Sequence, residues 1–380
     1  MHLAIGKFIV VPLIVAFPML LISCKKNEAA PEDTVQYTQT PVTISSGMPG
    51  YPAPFIPADN PTTEEGVLLG RTLFYDPKLS ADGTISCASC HQLSKGMADG
   101  LPVSVGIRNQ RTDRSSMPLI NLAWVNKFFW DGRVNSLEEQ SLHPIDNPLE
   151  MGNSIGNVVS YLQGQPAYVN LFRRAFNTGT VNATLVAKSI AQFERTLVSF
   201  NSKYDRFIRG QEALTAEEAK GLALFSQHPD PFAGANGVRG ANCNDCHSVG
   251  LFQGKTTGFQ GFMNNGTPAG IGLPQDLGLQ LVTNQTSDAG KMRIPTLRNI
   301  ALTAPYMHAG QFGTLADVMD HYNSPDLFQK PNVDILITSA INRRFTTELG
   351  LTSAEKQAVI AFLNTLTDTS FVNNPAFKKP

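Results

Sequence analysis

A five-residue frame occurs twice in this chain, as Cys87-Ala88-Ser89-Cys90-His91 and as Cys243-Asn244-Asp245-Cys246-His247. The 380 residues include five cysteines and seven histidines, and four of those cysteines sit in the two frames. Cys-x-x-Cys-His is the spacing of c-type haem attachment. Two thiols so placed on a turning backbone both reach the vinyl groups of one macrocycle, and the adjacent imidazole meets the iron as proximal ligand. Two disulfides leave both histidines without a role. Zinc held by paired Cys-x-x-Cys turns is the remaining alternative, but each pair is followed directly by histidine and the pairs lie far apart. The frames predict two haem c groups, one on Cys87, Cys90 and His91, the other on Cys243, Cys246 and His247.

The flanks repeat too. Thr62-Thr63-Glu64-Glu65 reads as a capping box opening a helix that carries Gly70 and Phe74 ahead of the first frame. Thr215-Ala216-Glu217-Glu218 opens another, carrying Gly221 and Phe225 ahead of the second. A third box, Thr352 to Glu355, starts an apolar helix with Val359, Ile360, Phe362, Leu363 and Leu366 at helical spacing, and residues 182–200 are also strongly helical. Strand-like alternation is scarce. The expected fold is mainly α, with two cytochrome c-type domains over residues 51–205 and 206–380.

Ahead of them, Phe8 to Ser23 is an uncharged, mostly apolar run closed by Cys24, Lys25 and Lys26. It is short for a bilayer span and suits a secretory signal over residues 1–23; an uncleaved anchor is the alternative. Leu21-Ile22-Ser23-Cys24 resembles a bacterial lipobox, in which the cysteine becomes the lipidated first residue. Either reading places the rest outside the cytoplasm, in the periplasm or outer cell envelope. Residues 24–50, rich in Thr, Pro and Ser, read as a flexible tether. With 30 basic against 31 acidic side chains, no cationic excess exists to neutralise a phosphate backbone, which argues against nucleic-acid binding.

Further motifs follow in order: Phe129-Trp130-Asp131-Gly132-Arg133, Leu137-Glu138-Glu139-Gln140, Pro144, Asn147-Pro148 and Glu150-Met151, then Ile294 to Asn299, Leu302-Thr303-Ala304-Pro305-Tyr306, His308 and Gly310. Over residues 55–370 the chain resembles the bacterial di-haem cytochrome c peroxidase and MauG family. The resemblance implies that His91 is the proximal ligand of a peroxide-binding haem and His247 that of an electron-transferring haem. It implies that Glu150 is the distal acid–base carboxylate, that Gln140 shares its pocket, and that Trp130 lies between the haems. His308 matches a residue beside a haem. Splitting a peroxide O–O bond needs a group that takes a proton from one oxygen and returns it to the other, and a carboxylate in an apolar setting serves. Leu149 and Met151 flank Glu150, although without the motif it would read as an ordinary solvated loop glutamate. Trp130 alone would read as a core aromatic.

Two departures bear on mechanism. Many relatives carry a histidine after a Ser-x-Gly, as a displaceable ligand of the first iron; here Ser104-Val105-Gly106 is followed by Ile107, which cannot bind iron, so the first haem is expected to be open without reductive activation. His143 is the nearby substitute, otherwise a loop residue. At the second iron Tyr322 stands where peroxidases of the family place methionine, as MauG does, with Met319 and His321 as competitors or no protein ligand at all. A phenolate favours ferric iron and lowers the potential. A calcium ion is usual between the domains; Thr303 and Pro305 match its carbonyl ligands, while Ser115 replaces an asparagine and is a poorer ligand. His2 and His228 read as non-functional.

Three functions follow. The first is a lipid-anchored peroxidase reducing hydrogen peroxide to water, with electrons from a small periplasmic cytochrome c or cupredoxin. The second is MauG-like, peroxide-driven oxidation of a partner protein through high-valent di-haem iron. The third is a di-haem electron carrier, against which Glu150 and Gln140 argue, because a carrier needs no proton shuttle.

Overall fold

The computed structural model describes residues 37, 39–48, 50–227, 240–254, 261–268, 276–330, 333–334, 337 and 349–380. His2, the apolar run, Cys24 and His228 lie outside them. The described chain is mostly helical: α1 Glu64–Phe74, α2 Cys87–Cys90, α3 Leu137–Asp146, α4 Ile155–Gln163, α5 Pro166–Phe176, α6 Ala183–Arg195, α7 Lys203–Ile208, α8 Ala216–Ser226, α9 Gln280–Thr283, α10 Leu315–Asn323, α11 Ser353–Asn364 and α12 Thr369–Asn373. A two-residue antiparallel ladder, β1 Phe262–Met263 with β2 Met292–Arg293, is the sheet among these residues. No helix there is long and apolar enough to cross a membrane.

The architecture is a helix crossing made twice. A Cβ on Gly70 of α1 would stand 1.9 Å from the Ser189 carbonyl oxygen of α6, and one on Gly221 of α8 would stand 1.9 Å from the Ala358 oxygen of α11. Only glycine lets these helices touch backbone to backbone. One turn on, Phe74 meets Phe193 and Phe225 meets Phe362, both with ring centroids 5.2 Å apart. Edge-to-face and tilted pairs of this kind add to burial. The helical segment 182–200 therefore does for the first frame what α11 does for the second.

The capping boxes at Thr215 and Thr352 form as expected. The one expected at Thr62 does not. Thr63 is the cap, its backbone N–H donates to Gln192 Oε1 at 2.9 Å, and the Glu65 carboxylate accepts from Thr40. Of the tether expected over residues 24–50, residues 24–36 lie outside the described residues, and the part that is described differs from the expectation. Val42 N–H donates to the Thr62 oxygen, and Met48 is buried with Ala123, Trp124 and Phe200, so residues 39–48 are packed on the body. At the other end, Phe371 and Phe377 join the core around Phe74, Leu93 and Leu122, and the Tyr75 hydroxyl donates to the Phe377 oxygen at 2.6 Å. The last helix thus packs with the first half of the chain, although its sequence position lies in the second expected domain.

The repeat reaches further than the frames and helices. Phe128 to Val134 and Tyr306 to Phe312 form the same bridged turn, with positive φ at Phe129 (65°) and Met307 (73°) and again at Gly132 (72°) and Gly310 (64°). Ser136 and Thr314 then cap α3 and α10 at matching distances. Trp130 and His308 occupy the same place in the two copies.

Candidate active site

Each frame is a single turn followed by a loop that bends back over its histidine. Gln92 bridges to Ala98 and Ser248 to Gln253, with Met97 (φ 64°) and Phe252 (φ 54°) in the left-handed region. This turns the Met97 carbonyl to within 3.0 Å of His91 Nδ1 and the Phe252 carbonyl to within 3.2 Å of His247 Nδ1. A carbonyl only accepts, so Nδ1 carries the proton and Nε2 is left as the ligand atom, made more basic by that bond. Burial pushes the His91 imidazole below its usual value and His247 to about 4, which keeps both neutral and able to ligate. None of the four thiols is paired with another; burial pushes Cys90 and Cys243 up to about 12 and Cys87 higher still.

In the first module an Asn147-Pro148-Leu149-Glu150 turn follows α3. Leu149 N–H donates to Asn147 Oδ1, and Asn147 Nδ2 donates to Glu150 Oε1 at 2.7 Å, which orients the carboxyl. Burial raises the Glu150 pKa, against the hydrogen bond from Asn147 and the charge of Arg133, and its charge is felt at both Cys87 and Cys90. Gln140 is buried and its Oε1 has no partner. The Ser104–Ile107 segment lies on the Glu150 turn, with Ile107 N–H donating to the Glu150 oxygen at 2.8 Å. The Ile107 side chain is buried against Gly152, so hydrocarbon fills the place where many relatives carry histidine. His143 is exposed and packs edge-on against Phe129.

The second module surrounds a cavity lined by Cys243, Cys246 and His247, with Tyr322 and Met319 from α10 and with Trp130 reaching in from the first half. His321 turns away from it: its Nε2 meets the Asn265 carbonyl at 2.9 Å and its ring packs on Phe312. Burial raises the Tyr322 pKa, and a hydrogen bond from Asn265 pulls it back. Trp130 donates from Nε1 to the Ser115 oxygen at 2.9 Å and meets the ring of buried His308 edge-on, centroids 6.4 Å apart. Ser115 is itself a joint between the halves, donating from Oγ to the Met307 oxygen at 3.0 Å and from N–H to the His308 oxygen at 2.8 Å. Thr303 Oγ1 donates to the Ile300 oxygen, and Pro305 follows a cis bond.

The residues fit haem. Besides two thiols and a neutral imidazole at each frame, Arg293 lines the second cavity with its Nε unpartnered and its pKa brought to about 10 by burial. A buried guanidinium without an acid beside it suits a ligand that brings carboxylates, as haem propionates do.

Four residues of the site escaped sequence reasoning. Asn265 and Arg114 lie in irregular segments, and Arg293 is in the two-residue strand β2. Glu194, on α6, is fully buried with one oxygen unpartnered, and its charge acts on Cys87. A charged residue amid the apolar face of α6 was its only sequence signal.

Comparison with known proteins agrees with this geometry. The family model of the di-haem cytochrome c peroxidases matches residues 64–213. The methylamine utilization protein MauG of Methylorubrum extorquens is 39% identical over 268 residues, 70% of each chain. The cytochrome-c peroxidase IdrP1 of a Pseudomonas species is 32% identical over 360 residues, covering 87% of this chain and 89% of that one. A crystal structure of a MauG-like protein associated with microbial copper homeostasis superposes with a TM-score of 0.74 at 33% identity, covering 88% of this chain and 98% of that one. With these identities over more than two thirds of its length, and with the frame repeated twice, the chain belongs to the di-haem cytochrome c peroxidase family.

Proposed function

We propose that this enzyme reduces hydrogen peroxide to water in the first module, with electrons delivered to the second by a small periplasmic donor protein. Each module would be a haem c domain. The haems supply the iron that binds peroxide and the redox steps. What the polypeptide adds is proton control and a path. Glu150 takes the proton from the near oxygen of peroxide and returns it to the departing one, and two electrons and two protons per peroxide give two waters. Its raised pKa brings it closer to neutrality, as a group that both accepts and releases a proton requires. Gln140 is buried with its Oε1 unpartnered, which is compatible with a share in the same pocket. Trp130, which comes from the first half, and His308 both line the second cavity with their rings in contact, which supports a path for electrons between the modules. The oriented carboxyl of Glu150 is the observation that carries this reading.

A MauG-like reading, in which peroxide drives oxidation of a partner protein, is favoured by Ile107 and Tyr322. Stopped-flow mixing of the diferric protein with stoichiometric peroxide, then with a reduced small cytochrome, separates the two. Rapid oxidation of the cytochrome supports the peroxidase; an oxidised protein that ignores it supports the MauG-like reading, and inertness to peroxide leaves an electron carrier. The Thr303 and Pro305 carbonyls with Ser115 are the proposed calcium ligands, and chelation followed by recalcification tests them through the spectrum of the first haem. Anchoring at Cys24 in the cell envelope is tested by acyl labelling of the parent and of Cys24→Ser.

A further inference from the structure

Two consecutive residues at the end of α10 close on one asparagine. Asn265 Nδ2 donates to the Tyr322 hydroxyl oxygen at 3.0 Å, and the Asn265 carbonyl meets His321 Nε2 at 2.9 Å. The amide is itself held. Its Oδ1 accepts from Thr267 N–H at 3.2 Å and from Thr267 Oγ1 at 2.9 Å, so its oxygen faces Thr267 and its NH2 faces Tyr322. An amide nitrogen only donates, which makes the tyrosine oxygen the acceptor. The same nitrogen lies 3.3 Å from Met307 Sδ, a weak acceptor that competes poorly. Asn265, Tyr322 and Met319 all line the cavity that holds Cys243, Cys246 and His247, and of the two α10 side chains it is Tyr322 that the Asn265 amide holds.

We infer that Asn265 is a positioning residue that holds the Tyr322 oxygen at the second haem and tunes that iron's potential through its hydrogen bond. The inference rests on Tyr322 being the iron ligand. It adds to that reading the group that favours tyrosine: the amide fixes the phenol, and the backbone carbonyl of the same residue keeps the His321 ring outside. A donor to an anionic ligand oxygen draws electron density away from the iron, so the potential stands higher than an unassisted phenolate would set it.

The test uses the haem-loaded full chain in four forms: the parent, Tyr322→Phe, Asn265→Leu and Asn265→Asp. Ferric absorption and EPR spectra and a spectroelectrochemical titration are recorded for each. Tyr322→Phe is expected to abolish the phenolate-to-iron charge-transfer band and raise the second potential. Asn265→Leu is expected to lower the second potential while leaving the first unchanged. Asn265→Asp keeps both Thr267 bonds but turns a carboxylate oxygen towards the phenol, and is expected to weaken or lose the charge-transfer band; it decides the matter if the leucine variant loads haem poorly. If Tyr322→Phe alters the spectrum and both Asn265 variants keep the parent's spectrum and potentials, the role of Asn265 is overturned and the ligand stands. If Tyr322→Phe changes nothing, the ligand reading falls and takes the inference with it.

Discussion

Two glutamates near the first frame are both raised by burial, yet the structure prepares them for different work. Glu150 is aimed by Asn147 and stands on a turn; Glu194 is locked in a helix with one oxygen unpartnered. Glu150→Gln is expected to keep both haem spectra and slow the reaction with peroxide by about 10²–10⁴-fold, the usual worth of a positioned proton carrier. As the base must be ionised, the parent's rate falls off on the acid side at a pH above the ordinary carboxylate range, and that limb is absent from the variant. An unchanged pH profile would remove Glu150 from the chemistry. Burial pushes Glu194 to about 8, against the charge of Arg195 and with that of Glu138. A folded pKa above the unfolded one means that the folded chain binds the proton more tightly. Stability is therefore fully present below the usual glutamate pKa and is lost as pH rises through about 8. Glu194→Gln, always neutral, should match the parent in acid and exceed it above that pH. At roughly 1.4 kcal/mol per pKa unit the gain is at most a few kcal/mol, read from thermal unfolding of the haem-loaded proteins.

Among the elements, the crossings α1 with α6 and α8 with α11 set where each frame hangs. Alanine normally gains about 1 kcal/mol over glycine inside a helix. At Gly70 and Gly221 the new Cβ meets a carbonyl oxygen at 1.9 Å, and the helices must part, at about 1–3 kcal/mol or more. Gly70→Ala and Gly221→Ala should each lower the unfolding temperature, while Gly156→Ala on α4, whose Cβ meets nothing nearer than Ser154 Oγ at 3.8 Å, should raise it slightly. Equal effects at all three sites would mean that the close approach carries no cost. Much of this level was legible in the sequence because its signals are local: Thr215 with Glu218 and Thr352 with Glu355 cap their helices within four residues. Thr62 failed as a cap because its competitors are remote, Gln192 taking the Thr63 N–H and Thr40 taking Glu65. The two frames were legible because chemistry restricts residue type there, whereas Glu150 stood out only through the family resemblance, its burial and its bond from Asn147 being set by tertiary structure. The equivalence of Trp130 and His308 was hidden, since the two turns share backbone conformation and not side chains. Asn265 left no signal because its partners are set by tertiary packing.

At the scale of the whole molecule the two halves meet through an ion cluster next to the aromatic bridge. Arg114 donates to Asp131 of the first half at 2.7 Å and, through two nitrogens, to Asp276 of the second at 2.7 and 2.8 Å. All three side chains are largely buried. Asp131 also holds Arg133, so Asp276 is the acid that depends most on Arg114; its other neighbour, His308 at 3.9 Å, is pushed by burial below its usual pKa and is a poor counter-charge. Burial raises the Asp276 pKa, but the hydrogen bonds and charge of Arg114 more than offset this and hold it below the usual range. A depressed folded pKa gives stability that is present above the ordinary carboxylate value and lost as pH falls through the folded one. Removing one partner of a buried pair typically costs about 3–5 kcal/mol, because the other charge is left desolvated. Arg114→Met should therefore destabilise the protein by that order at neutral pH, with the gap closing in acid as Asp276 takes up a proton. Its neighbours add a second readout. Arg114 precedes Ser115, which accepts from Trp130 and donates to the backbone of Met307 and His308, and Asp131 follows Trp130. A relaxed clamp loosens the contact between Trp130 and His308, so electron passage from the second haem to the first should slow in Arg114→Met even when both haems keep the parent's spectra. Lost stability with an unchanged rate of passage would reduce the cluster to a structural joint, and unchanged stability would show that Asp276 finds its counter-charge elsewhere.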